Sequence, residues 1–255
     1  MTDQKVTTRF WIKRTSPSGF LLAILWLVPL VLCSAGAHAG KVVAYSAQAT
    51  DLEPDLETGA EINDVCAGCH GEYGQGGKDG EYPRLAGLPA AFTARQLALF
   101  RSRDRANMAM VEHTEPRQMT DSDIRDISAF LAAIELPSQL PPVDESAPDF
   151  NAYERLMATK RVLQIPRAQG DTAAGEALYQ RECASCHGRD GWGRARDAVP
   201  MLAGQYTNYL QRQVGKYINK TRIHDPSEPD ADELLAAFSA QELQDIFAYI
   251  SILDD

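Results

Sequence analysis

The chain has 255 residues, with 25 Lys and Arg against 35 Asp and Glu, for a net charge of −10 with histidine neutral. That balance argues against a nucleic-acid partner; it suits a basic docking face on a protein partner, with an on-rate that falls as salt rises, and it also serves solubility. Of five cysteines, four sit in two short motifs and the fifth, Cys33, lies in an N-terminal apolar stretch, so no thiol is left over for a disulfide or a nucleophile.

At the N-terminus, Lys5, Arg9, Lys13 and Arg14 precede the apolar run from Phe20 to Leu32, followed by Ala37-His38-Ala39. A basic region, an apolar run and a small-x-small pattern predict a secretory signal peptide over residues 1–39. The run is short for a membrane span, though left uncleaved it would act as a membrane anchor. Leu32 is not small, which argues against lipidation at Cys33. Cleavage after Ala39 removes four basic residues and one acidic residue, which moves the net charge from −10 to −13.

The motifs are Cys66-Ala-Gly-Cys69-His70 and Cys183-Ala-Ser-Cys186-His187, each followed by Gly. Cys-x-x-Cys-His is the attachment signature of c-type haem. The cysteines form thioethers to the vinyl groups, and the histidine falls under the iron as its proximal ligand. The pattern therefore predicts two covalently bound haem c groups, held by Cys66, Cys69, Cys183 and Cys186, with iron on His70 and His187. A structural zinc site built from the four cysteines leaves both histidines unexplained and needs the two halves to share one metal. Export agrees with haem attachment outside the cytoplasmic membrane, so the expected location is periplasmic.

The chain is written twice. An offset of 117 residues maps Cys66 onto Cys183, Pro83-Arg-Leu-Ala-Gly87 onto Pro200-Met-Leu-Ala-Gly204, Arg95-Gln96 onto Arg212-Gln213 and Arg105 onto Arg222; farther on the offset becomes 119. Each copy reads as all-α. A helix leads into each motif, about 56–67 and 172–184. A Gly-rich turn follows, then a middle helix at about 90–103 and 207–220. The last helix begins at Thr120 or Ser239, marked by the capping pairs Thr120/Asp123 and Ser239/Glu242. Ile124, Ile127 and Leu131, like Leu243, Ile246 and Ile250, repeat at helical spacing and read as core. The organisation is a first domain over 40–136, a Pro-rich linker over 137–170 with amphipathic spacing at Phe150, Tyr153, Leu156, Met157 and Leu163, and a second domain over 171–255. A domain of about 80 residues is small for a side-chain core alone, so haem is expected to supply apolar mass to the fold.

The order Cys-Ala-x-Cys-His-Gly, Pro-x-Leu-Ala-Gly, a middle helix with Gln and a capped last helix resembles the cytochrome c4 family over nearly all the mature chain except the linker. The resemblance implies two tandem class I cytochrome c folds, each wrapped around one haem. It implies an electron carrier rather than an enzyme, serving redox partners such as a terminal oxidase, a cytochrome or a dehydrogenase. It also implies that Pro83 and Pro200 lend carbonyls to the rings of His70 and His187, and that a Met lies on the far side of each iron. In the first copy Met110 is the leading distal ligand and Met108 the alternative. Met119 corresponds to Phe238 and reads as a staple onto Ile124. The second copy departs from the family: no Met follows Met201, and His224 is the strong ligand in the corresponding loop. Either His224 binds the second iron, which lowers its potential relative to the first, or that iron is open, as in a haem enzyme or small-ligand sensor. A cytochrome subunit of a dehydrogenase is a further alternative. Arg84, Arg95, Arg105, Arg212 and Arg222 are candidate partners for haem propionates.

Overall fold

The structure, a computed structural model, describes residues 53–223 and 231–253. Within them ten α-helices follow in chain order. The first lobe holds α1 (Leu56–His70), α2 (Ala90–Ser102), α3 (Met108–Thr114) and α4 (Asp121–Ala133). The linker carries α5 (Ala152–Thr159). The second lobe holds α6 (Thr172–Glu182), α7 (Ala184–His187), α8 (Thr207–Ile218), α9 (Ala231–Ala237) and α10 (Ala240–Ile250). Among the described residues there is no strand, only the isolated bridges Gly77–Tyr82 and Arg194–Val199, one per lobe at equivalent places. No described helix is long and apolar enough to cross a membrane. The signal-peptide segment, Cys33 and His224 lie outside the described residues.

Local chemistry sets the helix starts. Asp55 caps α1 by accepting from the amides of Glu57 and Thr58, and Asp171 caps α6 from Ala173 and Ala174. These side chains satisfy donors that the first turn leaves unpaired. Each cap is also tied across its lobe: the Asp55 amide donates to Asp126 at 3.0 Å, and the Asp171 amide to Asp245 at 2.9 Å. The last helices open on closed capping boxes, Thr120 with Asp123 and Ser239 with Glu242. Asp123 closes its box as fully as the longer Glu242 does. Just before each cap, Met119 packs in the same cluster as Ile124, and Phe238 in the same cluster as Leu243. This is a hydrophobic staple that fixes the entry angle of the helix.

The first core gathers Ala94, Leu97, Met119, Ile124, Ile127 and Leu131 from α2, α4 and the turn between. The second gathers Tyr179, Ile246, Phe247, Tyr249 and Ile250 from α6 and α10. Three details differ from the expectations. The helix through the first motif runs unbroken to His70, whereas its counterpart breaks at Cys183, whose φ of −108° departs from helical geometry. The loops before the last helices contain α3 and α9. And α5 buries none of its residues, with Tyr153 and Leu156 exposed. Other linker residues do the packing: Leu163 is buried, Arg161 lies over the Tyr73 ring, and Arg167 and Ala168 bond to Ser251.

Candidate haem sites

Each motif ends a helix and is followed by a turn that returns the chain under its histidine. In the first lobe Gly76 donates to the His70 carbonyl at 2.7 Å, and Leu85 to that of Gly74 at 2.7 Å. In the second, Gly193 donates to His187 at 2.7 Å, and Leu202 to Gly191 at 2.8 Å. The turn brings backbone so close that glycine is required. Gly76 has φ +79°, and a Cβ there would meet Arg84 N and Tyr82 O at 2.7 Å; Gly193, at +72°, would strike Val199 O at 2.5 Å.

This return places the carbonyls of Pro83 and Pro200 beside the histidine rings. His70 Nδ1 lies 3.0 Å from Pro83 O, and His187 Nδ1 lies 2.9 Å from Pro200 O. A carbonyl only accepts, so each Nδ1 carries the hydrogen and each Nε2 keeps its lone pair. Burial lowers the His70 pKa against the opposing effect of the Pro83 bond, which keeps the ring neutral and suited to a metal. Cys66 packs on the first core and Cys183 on the second; Cys69 is exposed and Cys186 half-buried. Burial pushes the Cys66 thiol up, and burial with the neighbouring Glu182 and Cys186 pushes Cys183 up to about 11. Among the described residues no group of three or more His, Cys, Asp or Glu gathers where it could hold a metal ion.

The candidate distal residues of the first lobe separate clearly. Met108 opens α3 and is 65% exposed. Met110, one half-turn on, is partly buried against the first core. Met119 is a core residue, and His113 lies exposed on α3. In the second lobe Met201 is buried, with its methyl 3.0 Å from where a Cβ on Gly87 would stand.

The candidate propionate arginines divide. Arg84 is buried and bonds to Ala86 O and, across the lobes, to Gly204 O. Arg212 bonds to the carbonyls of Gly80, Glu81 and its own helix. Arg95 lies over the Phe92 ring. Arg84 and Arg212 both hold backbone at the lobe interface. Arg105 and Arg222 form a crossed network. Arg105 donates to Gln96 at 2.9 Å and to Gln213 at 3.2 Å; Arg222 donates to Gln213 at 2.8 Å and to Gln96 at 3.1 Å. Arg105 also bonds the Tyr209 hydroxyl at 3.0 Å. Burial alone would raise the Tyr209 phenol, but the Arg105 and Arg222 guanidiniums outweigh it and hold it below its ordinary value. Buried Arg222 Nε has no partner. Two guanidiniums set on amide oxygens and a phenol, one with a spare donor, fit an anionic group such as a carboxylate.

Comparison with known proteins agrees with this geometry. The profile of the family described as Cytochrome c matches residues 56–135 and 172–254, one match per lobe. The chain belongs to the cytochrome c family. A "Thiosulfate dehydrogenase electron acceptor" from Stutzerimonas stutzeri (strain A1501) is 31% identical over 190 residues, covering 73% of this chain and 78% of that one. The cytochrome c4 of Pseudomonas aeruginosa is 26% identical over 204 residues, covering 77% and 87%. The crystal structure of reduced recombinant cytochrome c4 from Pseudomonas stutzeri shares the fold, with a TM-score of 0.59 at 20% identity over 78% of this chain and 98% of that one. The protein is a dihaem electron-transfer cytochrome of the c4 type, with two covalently bound haem c groups. The residues present fit that cofactor. Each lobe offers two thiols beside a histidine whose Nε2 is unengaged by the Pro carbonyl, and the crossed arginines can meet propionates.

Sequence reasoning missed the interface glutamines and Tyr209. A signal for part of it was present: Gln96 and Gln213, like Arg105 and Arg222, stand 117 residues apart. Gln205 has no such signal, because its repeat position is Leu88.

Proposed function

We propose that the protein is a periplasmic carrier that takes electrons from a thiosulfate-oxidising dehydrogenase and delivers them to a terminal oxidase or another reductase. Cys66 and Cys69 hold the first haem, Cys183 and Cys186 the second, and His70 and His187 bind the two irons through Nε2. Met110 is the distal ligand of the first iron; its partial burial against the core supports it over exposed Met108. His224, outside the described residues, is assigned to the second iron from its place in the sequence. The observation that carries the carrier reading is the duplicated proximal turn, with ring-to-carbonyl distances of 3.0 and 2.9 Å, in two lobes joined by a buried polar interface. The name of the Stutzerimonas relative supports the donor, and the net charge of −10 supports docking on a basic face.

When bound, haem supplies an iron that changes oxidation state by one electron. The chain holds each imidazole in a single tautomer through a Pro carbonyl, which orients the ring and raises its basicity. It also sets Arg105 and Arg222 where they balance negative charge between the lobes.

Rapid mixing with a thiosulfate dehydrogenase and thiosulfate tests the donor: fast reduction of both haems, slowed by salt, is the expected result, and no reduction rejects it. Met110→Ala is expected to abolish the methionine–iron charge-transfer band of the oxidised protein while Met108→Ala keeps it. A second haem that is high-spin and binds cyanide in the unmodified protein would replace the carrier reading with that of a haem enzyme or sensor.

A further inference from the structure

The peptide unit between Pro83 and Arg84 is held at both ends. Its carbonyl accepts from His70 Nδ1 at 3.0 Å. Its amide N–H donates to Oε1 of Gln205 at 3.0 Å, across the lobe interface. Nε2 of the same Gln205 donates to the Arg84 carbonyl at 2.9 Å. Gln205 is only 3% exposed, and its Oε1 also accepts from Tyr206 N at 3.1 Å. No cis peptide occurs among the described residues. In a planar trans peptide, C=O and N–H point in opposite directions and turn together. Fixing the Arg84 N–H therefore fixes the direction of the Pro83 carbonyl. Hydrogen bonds in series also polarise one another, so a bond to the N–H makes the carbonyl a stronger acceptor.

The second lobe lacks this device. The matching peptide is Pro200–Met201, and the residue at the place of Gln205 is Leu88, whose side chain neither accepts nor donates. Both histidines meet a Pro carbonyl; among the described residues only the first carbonyl's peptide is braced from the opposite lobe by an amide side chain.

We propose that Gln205 is a positioning residue that acts through the Pro83–Arg84 peptide to hold and polarise the His70 ring, lowering the potential of the first haem from within the second lobe. The proposal rests on His70 being the axial ligand of that haem. A more strongly bonded Nδ1–H makes imidazole a more basic ligand, which favours ferric iron. The brace therefore brings the first haem down toward the second when the second carries two histidines.

The test is Gln205→Met in the holoprotein, which keeps side-chain length and removes both bonds to Arg84 together with the one from Tyr206 N. Two readouts are needed: exchange of the ring Nδ1–H protons by NMR, and a redox titration resolving the two haems. The expected result is faster exchange at His70 with His187 unchanged, and a reduced-to-oxidised ratio at fixed poise about threefold higher for the first haem only, where tenfold corresponds to 59 mV for one electron. Asn208→Ala serves as control, since it breaks a different bond between the lobes, Asn208 Nδ2 to Asp79 O at 3.2 Å. If Asn208→Ala reproduces the shift, loosening of the interface is the cause and the proposal falls. It also falls if His70 exchange and the first potential are unchanged in Gln205→Met. Two low-spin haems in the unmodified protein and loss of one in His70→Ala establish the ligation separately, so failure of the brace and failure of the ligation are distinguishable.

Discussion

Two glycines on helices of the second lobe should respond to alanine with opposite signs. Gly175 lies in α6, where that helix crosses α10. A Cβ at this position would fall inside contact distance of the Asp245 backbone oxygen, 2.5 Å from the Asp245 carbonyl carbon and 3.0 Å from Tyr249 Cβ. Those atoms belong to the opposing helix and have no flexible end to move aside, so α6 and α10 must separate by roughly 1 Å in a close-packed interior. Overpacking of this kind costs about 1–3 kcal/mol, sometimes more, while the helix propensity of alanine returns about 1 kcal/mol. The hydrogen bond from the Asp171 amide to Asp245 spans the same crossing and would weaken with it. Gly175→Ala is therefore expected to lose about 2 kcal/mol. Gly215, in α8, has no atom within 4 Å of its Cβ position, so Gly215→Ala should gain about 0.5–1 kcal/mol from propensity alone. Urea unfolding of the holoprotein followed by circular dichroism measures both. With a slope of about 2 kcal/mol per molar, Gly175→Ala should lower the midpoint by about 1 M. Equal midpoints for the two variants would refute the reasoning.

Tyr179→Phe removes the 2.8 Å hydrogen bond from its hydroxyl to the Gly188 carbonyl, next to His187; a loss of about 1 kcal/mol is expected in urea unfolding, and an unchanged midpoint would count against it. Stability should also fall on the acid side. Backbone and side-chain hydrogen bonds from Thr58 hold Asp55 below its ordinary pKa of 3.8, and those from Ser239 hold Glu242 below 4.5. A depressed carboxyl contributes stability above its unfolded pKa and loses it as pH falls through the lower folded value. The double variant Asp55→Asn, Glu242→Gln should therefore lose less stability than the unmodified protein between pH 7 and pH 3; parallel losses would exclude these caps as the cause.

The sequence made the helices legible wherever their signals were local. Thr120 with Asp123 and Ser239 with Glu242 are three residues apart, so their capping boxes can be read without a fold. The staples at Met119 and Phe238 are equally local. Helix α3 gave no comparable signal: Asn107 caps it without a side-chain bond, and only Val111 and Thr114 are buried. The arginines show the opposite limit. Arg84 and Arg212 are basic residues near the motifs, but their partners across the lobes lie 120 to 132 residues away, and nothing in the local chain announces them. Position Leu88 likewise shows why Gln205 was silent, because repeat matching draws attention to what the copies share.

At the interface, symmetry explains which positions of the two copies can differ. When a duplicated domain packs on itself, a contact from one copy to the other implies the mirror contact. Gln96, Gln213, Arg105 and Arg222 obey that rule, each arginine bonding both glutamines. Changing one member would strand a buried guanidinium or amide, so this centre holds the copies alike. Away from it, mirror positions can diverge. On one side Arg84 and Gln205 make a polar junction. On the other, the equivalent residues Met201 and Leu88 are both buried and apolar, and the Met201 methyl lies toward Gly87. Both junctions adjoin the proline whose carbonyl meets a motif histidine. The same pair of positions therefore presents a hydrogen-bonded peptide on the His70 side and an apolar contact on the His187 side. Two identical haems would share an electron equally; on the proposed ligation, unequal surroundings of His70 and His187 would give the pair a preferred site without altering either motif.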